Sequence, residues 1–381
     1  MLFTSSRATR AVAVVAIGLS FAGCQRLQNL TGAGTVSGDR TGTSSPPAAT
    51  AARADEDMAR VINALAALGA KPVENLTVAQ ARSQPTPADA VRRVQQERGQ
   101  STAPRPVAQV RDISVPTPAG PIPARVYDPG RGGAGGRAPM IVYWHGGGWV
   151  IADLDTYDAS ARALAEETGA VVLSAHYRQG PEHRFPAAHD DAVAVYRWAT
   201  QNARRLGADP NRIAVAGESA GGNLAINAAI AARDMGLPRP VHMVLVYPVA
   251  GTDTNTPSYQ ANTAAVPLSR AGILWFVENY TRSSSDLQDP RLDVYGRADL
   301  RGLPPATIVN AEIDPLRSDG ELLAQKLREA GVPVEQRTWD GVTHEFFGMA
   351  PTVADATAAQ GYAAQRLRNA FSRERASTAS R

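Results

Sequence analysis

Arg212-Ile213-Ala214-Val215-Ala216-Gly217-Glu218-Ser219-Ala220-Gly221 carries a short apolar run straight into a serine set between glycines. The pattern predicts a nucleophile elbow, in which a strand ends, the chain turns sharply and a helix begins, leaving the serine hydroxyl exposed at the apex. The flanking glycines leave space where a Cβ would crowd the turn. Gly and Ser are common, so the motif gains weight only from the partners that the rest of the chain supplies.

A serine hydroxyl is a weak nucleophile at neutral pH and needs an adjacent general base. The base in turn needs an acidic group to hold its tautomer and to stabilise the imidazolium. The chain has six histidines, and each can be weighed. His344, in Gly341-Val342-Thr343-His344-Glu345-Phe346, follows a strand predicted at Val334–Trp339. Asp314, in Glu312-Ile313-Asp314-Pro315-Leu316, follows a strand predicted at Ala306–Asn310. The chain order Ser219, Asp314, His344 is the order found in α/β-hydrolases. His145-Gly146-Gly147-Gly148-Trp149 follows the predicted strand Met140–Trp144. Its successive glycines let backbone N–H groups converge on an oxyanion, with the N–H of Ala220 as a further donor. Losing one such donor costs about 3 kcal/mol in the transition state. His176, His183 and His189 are expected to be structural or solvent-facing, and His242 to be a satisfied, partly buried side chain on a strand. No histidine shows metal-site spacing. Asp190-Asp191 is expected to be a charge pair on a helix face.

Outward from the elbow, strand and helix patterns alternate. Strands are predicted at Val110–Val115, Ile122–Tyr127, Met140–Trp144, Ala170–Ala175 and Val241–Tyr247, besides those before Ser219, Asp314 and His344. Helices are predicted at Ala159–Thr168, Ala187–Leu206, Ala220–Met235, Ser318–Ala330 and Val353–Phe371. Near-continuous apolar strands alternating with helices imply an α/β fold, with a mostly parallel sheet covered by helices on both faces. Residues 55–105 are helical in pattern, with Met58, Val61, Ile62, Leu65 and Leu68 on one face until Gly69. A second helix is expected near Pro87 to Gly99. The interval 251–303 breaks the alternation and reads as an insertion in a body spanning 106–375.

The N-terminus has a different character. Arg7 and Arg10 precede an apolar run, Ala11 to Phe21, too short to span a bilayer. Residues 1–23 therefore read as a signal peptide. Cys24, the sole cysteine, follows Ala22-Gly23, and the segment resembles a bacterial lipoprotein signal. That resemblance implies a lipidated Cys24 and an envelope protein anchored on the periplasmic side. An ordinary cut after Ala22, giving a soluble periplasmic or secreted protein, is the alternative. Residues 24–54, rich in Gly, Ser, Thr, Pro and Ala, read as a disordered tether. With 44% hydrophobic and 20% charged residues, and a net charge of only +3, composition points to a globular body and not to a nucleic-acid partner.

Taken together, His145–Gly148, Tyr177-Arg178 with Pro181-Glu182-His183, Gly217–Gly222, Asp314-Pro315-Leu316 and His344-Glu345-Phe346 resemble the hormone-sensitive-lipase family of α/β-hydrolases, in its bacterial esterase branch. The resemblance spans roughly Asp55 to Phe371. It implies a triad of Ser219, Asp314 and His344, and an oxyanion hole from two of Gly146, Gly147 and Gly148 with Ala220. It also implies a cap built from the N-terminal helices and the 251–303 insertion, and hydrolysis of short- to medium-chain carboxylic esters without a cofactor or metal. Glu218 stands where the family more often has Asp, and His176 where Asp commonly precedes Tyr-Arg. Amides, carbamates, lactones and acyl transfer are alternative reactions at such a site, and a non-catalytic ligand receptor is an alternative of another class. Acyl length, stereopreference and oligomeric state are left open by the sequence.

Overall fold

The computed structural model describes residues 45–131 and 137–379. The signal-peptide reading of 1–23, the lipidation reading of Cys24 and most of the tether reading lie outside those residues.

Eight strands form one sheet: β1 Gln109–Val115, β2 Ile122–Asp128, β3 Ala138–Trp144, β4 Val171–Ala175, β5 Ala208–Glu218, β6 Met243–Val246, β7 Ala306–Ile313 and β8 Val334–Thr343. Their order is β1-β2-β4-β3-β5-β6-β7-β8. The first two pairings, β1 with β2 and β2 with β4, are antiparallel, and the rest of the sheet is parallel. The helices are α1 Pro46–Ala51, α2 Glu56–Ala67, α3 Val78–Ser83, α4 Pro87–Glu97, α5 Asp158–Thr168, α6 Ala187–Asn202, α7 Ala220–Asp234, α8 Pro257–Ala261, α9 Arg270–Tyr280, α10 Val294–Arg297, α11 Arg317–Glu329 and α12 Ala354–Ala379.

The parallel strands are apolar along nearly their whole length because helices cover both faces. In β3, Val142 and Trp144 belong to one core with Leu224 of α7 and Leu323 of α11. Ile141 and Tyr143 point the other way, into a core with Leu164 of α5 and Leu367 of α12. Local signals set the helix ends: α5 stops at Gly169, whose φ of +69° is left-handed. Helix α4 starts with a capping box, in which Thr86 Oγ1 accepts from the Asp89 N–H and Asp89 from the Thr86 N–H.

One expectation needs correcting. The tether reading extended to Ala54, yet Pro46–Ala51 is helical and its Thr50 is buried. Pro at the first turn and a run of Ala and Thr are compatible with a helix once the apolar α2 is there to pack against. The N-terminal helices, read as part of a cap, also pack on the body. Met58, Val61, Ile62 and Leu65 of α2 and Val91 and Val94 of α4 share a core with Ile141 and Tyr143 of the sheet.

The insertion between β6 and β7 carries α8, α9 and α10. It is tied to the N-terminal segment by Ser269 Oγ, which donates to Glu74 Oε1 (2.8 Å), and by Trp275 Nε1, which donates to the Leu76 carbonyl (3.1 Å).

Candidate active site

The chemistry-bearing residues sit one step past the carboxyl ends of strands. Ser219 follows β5, Asp314 follows β7, His344 follows β8, His145 follows β3 and His176 follows β4. Adjacent parallel strands end at one edge of the sheet, which is where sites gather in open α/β folds.

Ser219 adopts φ +56° and ψ −121°, an unusual conformation for a residue with a Cβ. Its N–H donates to the Val246 carbonyl at 2.9 Å, anchoring the elbow to β6. The turn is possible because Gly221 passes close beneath β3; a Cβ there would overlap the carbonyl oxygens of Trp144 and His145. Ser219 Oγ lies 3.0 Å from His344 Nε2, and His344 Nδ1 lies 2.7 Å from Asp314 Oδ2. The other oxygen, Asp314 Oδ1, accepts the Leu316 N–H at 2.8 Å, which fixes the carboxylate plane. This geometry calls for the tautomer in which Nδ1–H donates to Asp314 and Nε2 accepts from the serine. Burial opposes charging of His344, but the Asp314 charge and hydrogen bond, with Glu345 and Glu218 beyond, outweigh it and raise its pKa.

The glycine loop stands opposite. Gly147, at φ +90°, accepts from the N–H groups of Val150 and Ile151, and this turns the loop over. Gly147 and Gly148 line the same cavity as Ser219. Among the described residues, no backbone hydrogen bond uses the N–H of either glycine. Ala220, the first residue of α7, has an N–H with no partner inside the helix. Gly146 packs instead against Tyr157 and the Glu218 carbonyl, so the pair that faces the cavity is Gly147 and Gly148.

Below the elbow lies a polar layer that sequence reading missed. Glu218, fully buried, accepts from Tyr143 (2.6 Å) and Tyr247 (2.5 Å). Burial, with the charge of Glu345 adding to it, pushes its carboxyl up to about 7. Glu345, left-handed at φ +73°, accepts from Tyr157 and places Oε1 3.9 Å from His344 Nε2. Adjacency to His344 was the one available signal for Glu345. Tyr143 lies on β3, Tyr247 one residue past β6 and Tyr157 just before α5, and nothing in their local sequence marks them.

The remaining histidines are placed much as expected. His183 is exposed, His189 is buried between Asn223 and Tyr280, and His242 pairs with Thr307. Burial lowers both His189 and His242 to about 4. His176 contacts His145 at the base of the glycine loop. The two aspartates at 190 and 191 also part company: Asp190 is exposed, whereas Asp191 is buried and grips the Arg178 guanidinium.

The site opens into a cavity of about 860 Å³ with mostly apolar walls. Pro46, Leu65 and Pro85 contribute from the N-terminal segment, Leu268, Ile273 and Phe276 from the insertion, and His344 and Glu345 from the body. Among the described residues, no cluster of histidine, cysteine and carboxylate side chains is arranged to hold a metal ion, and no helix is long and apolar enough to cross a membrane.

A doubly covered parallel sheet with a strained elbow serine at this edge is the architecture of the α/β-hydrolases. Residues 141–348 match the family described as alpha/beta hydrolase fold. Carboxylesterase NlhH of Mycobacterium tuberculosis is 43% identical over 66% of this chain and 79% of its own. Ethyl acetate hydrolase of Pseudomonas putida is 35% identical over 65% and 78%. Among solved structures, the Pyrobaculum calidifontis esterase superposes with a TM-score of 0.71 at 37% identity, over 78% of this chain and 94% of that one. The ester hydrolase EH1AB1 from the Lake Arreo metagenome gives 0.74 at 34%, over 84% and 99%. The chain belongs to the hormone-sensitive-lipase family of α/β-hydrolases.

Proposed function

We propose that this chain is a serine carboxylesterase working through an acyl-enzyme, with Ser219 as nucleophile, His344 as general base and acid, and Asp314 as its orienting carboxylate. The observation that carries the reading is the continuous relay from Ser219 Oγ to His344 (3.0 Å) to Asp314 (2.7 Å), beside two cavity-facing glycines. Ser219 Oγ attacks the ester carbonyl as its proton passes to His344 Nε2. The N–H groups of Gly147, Gly148 and Ala220 take the developing oxyanion. His344 then protonates the departing alcohol, and water enters and repeats the sequence on the acyl-enzyme. No step calls on a cofactor. The relatives named carboxylesterase and ethyl acetate hydrolase support ester hydrolysis. The apolar cavity suits an acyl chain of short to medium length.

A fluorophosphonate probe is expected to label Ser219, and Ser219→Ala to abolish both labelling and hydrolysis of chromogenic esters. Retained hydrolysis by the purified variant would overturn the mechanism, and an unlabelled wild-type protein would favour a ligand receptor. Matched ester and amide substrates separate an esterase from an amidase. For location, the basic start, apolar run and Cys24 support a lipid-anchored protein of the bacterial envelope, facing the periplasm. Several acyl chains on one cysteine would anchor it firmly. Cys24→Ala should then release it from the membrane fraction, and unchanged association would count against the anchor.

A further inference from the structure

One side-chain contact continues the sheet beneath the glycine loop. Strands β3 and β4 run parallel, and their last paired residues are Trp144 and Ala175. The next residues, His145 and His176, extend that pairing: His145 Nε2 lies 2.9 Å from His176 Nδ1, with the rings inclined by 17°. So small an angle lets an N–H in the plane of one ring point along the lone pair of the other. Tyr177 stacks on His145 with ring centroids 4.5 Å apart, and its hydroxyl donates to the Gly146 carbonyl at 2.8 Å.

The direction of the histidine bond follows from what surrounds it. His145 Nδ1 is 2.8 Å from the Gly146 carbonyl oxygen. A carbonyl oxygen has only lone pairs, so Nδ1 must carry a proton. His145 is wholly buried; burial, with the neighbouring His176 adding to it, pushes its pKa down to about 3, so the ring is neutral at ordinary pH. Its Nε2 is then a bare lone pair in the interior, where an unmet acceptor is costly. The proton between the rings must therefore belong to His176 Nδ1.

We propose that His176 is a positioning residue for the oxyanion loop: its Nδ1–H holds His145 Nε2, which fixes the Gly146 carbonyl and so aims the N–H groups of Gly147 and Gly148 toward the oxyanion that forms when Ser219 attacks the ester. The inference rests on the reading of those glycines as oxyanion donors. The loop contacts gain most when the oxyanion forms, so loosening them lowers kcat and leaves KM nearly unchanged.

The test compares His176→Leu, which removes the donor, with His176→Asn, whose amide N–H stands close to where Nδ1–H stood. The leucine variant is expected to lose about tenfold or more in kcat with KM within about twofold, and the asparagine variant to come within about threefold of wild type. Undiminished kcat in the leucine variant, a change confined to KM, or an asparagine variant as impaired as the leucine one would each overturn the proposal. A second readout needs no variant to fold. In wild-type enzyme carrying 15N-labelled histidine, NMR should show both His145 and His176 protonated at Nδ1 and bare at Nε2. A proton on His145 Nε2 would sink the idea. Failure of Ser219 to take a fluorophosphonate would count against the esterase reading and leave the 15N result standing.

Discussion

His344 sits between opposing influences, and its behaviour with pH follows from them. Burial works against the imidazolium, but the Asp314 charge and hydrogen bond, joined by Glu345 and Glu218, together outweigh it, so its pKa is raised above 6.5. The base must be neutral to accept the serine proton, so the acid limb of kcat/KM is expected to have its midpoint above 6.5. Asp314→Asn should move that limb to lower pH and cut kcat by roughly 10³–10⁴-fold. A pH–rate series on both proteins measures this, and an unmoved limb would show that Asp314 does not set the base. Glu218 acts on stability. Its carboxyl titrates near 4.5 in an unfolded chain and near 7 in the folded one. Below about 4.5 its contribution is fully present, and it is lost as pH rises through about 7, where a buried group must ionise. Glu218→Gln should thus narrow the gap in Tm between pH 5 and pH 8, by roughly 2 °C or more, in thermal unfolding at the two pH values.

The element that matters most to the site is the β5–α7 turn, and its tolerances are backbone tolerances. A side chain at Gly221 has only the main chain of β3 to displace, and that strand is clamped between β4 and β5. Gly221→Ala is expected to destabilise the fold by about 3 kcal/mol or to prevent soluble expression, as overpacking against backbone does. Denaturant unfolding gives the figure, and a loss under 1 kcal/mol would mean the turn can shift. The turn was legible because an apolar run, paired glycines and a serine all act locally. The strand ends were harder to read. Asn310 and Trp339 looked like the last residues of their strands, yet β7 runs to Ile313 and β8 to Thr343. Pairing between the two, continuing beyond a register shift near Ala311, carries each strand up to its site residue, and no local preference marks that extension.

For the whole molecule, the cavity depends on two segments far apart in the chain. Arg82 donates to the carbonyls of Val150 and Gly180 and to both carboxylate oxygens of Glu182, fastening the α3 region to the body beside the glycine loop. Arg82→Ala should raise KM by roughly threefold or more while kcat falls less, because the cavity wall loosens and the triad stays in place. Equal KM values for the two proteins would refute that role. By itself the sequence determined the α/β class, the order of the site residues along the chain and the triad candidates. Each of these is written in local apolar patterns or short motifs. Only the tertiary structure decided that Gly147 and Gly148 face the cavity while Gly146 does not, that Glu218 and Glu345 meet three tyrosines, and that His176 braces His145. Those contacts join residues brought together by parallel strands, and a parallel pairing leaves no mark at either partner's place in the chain.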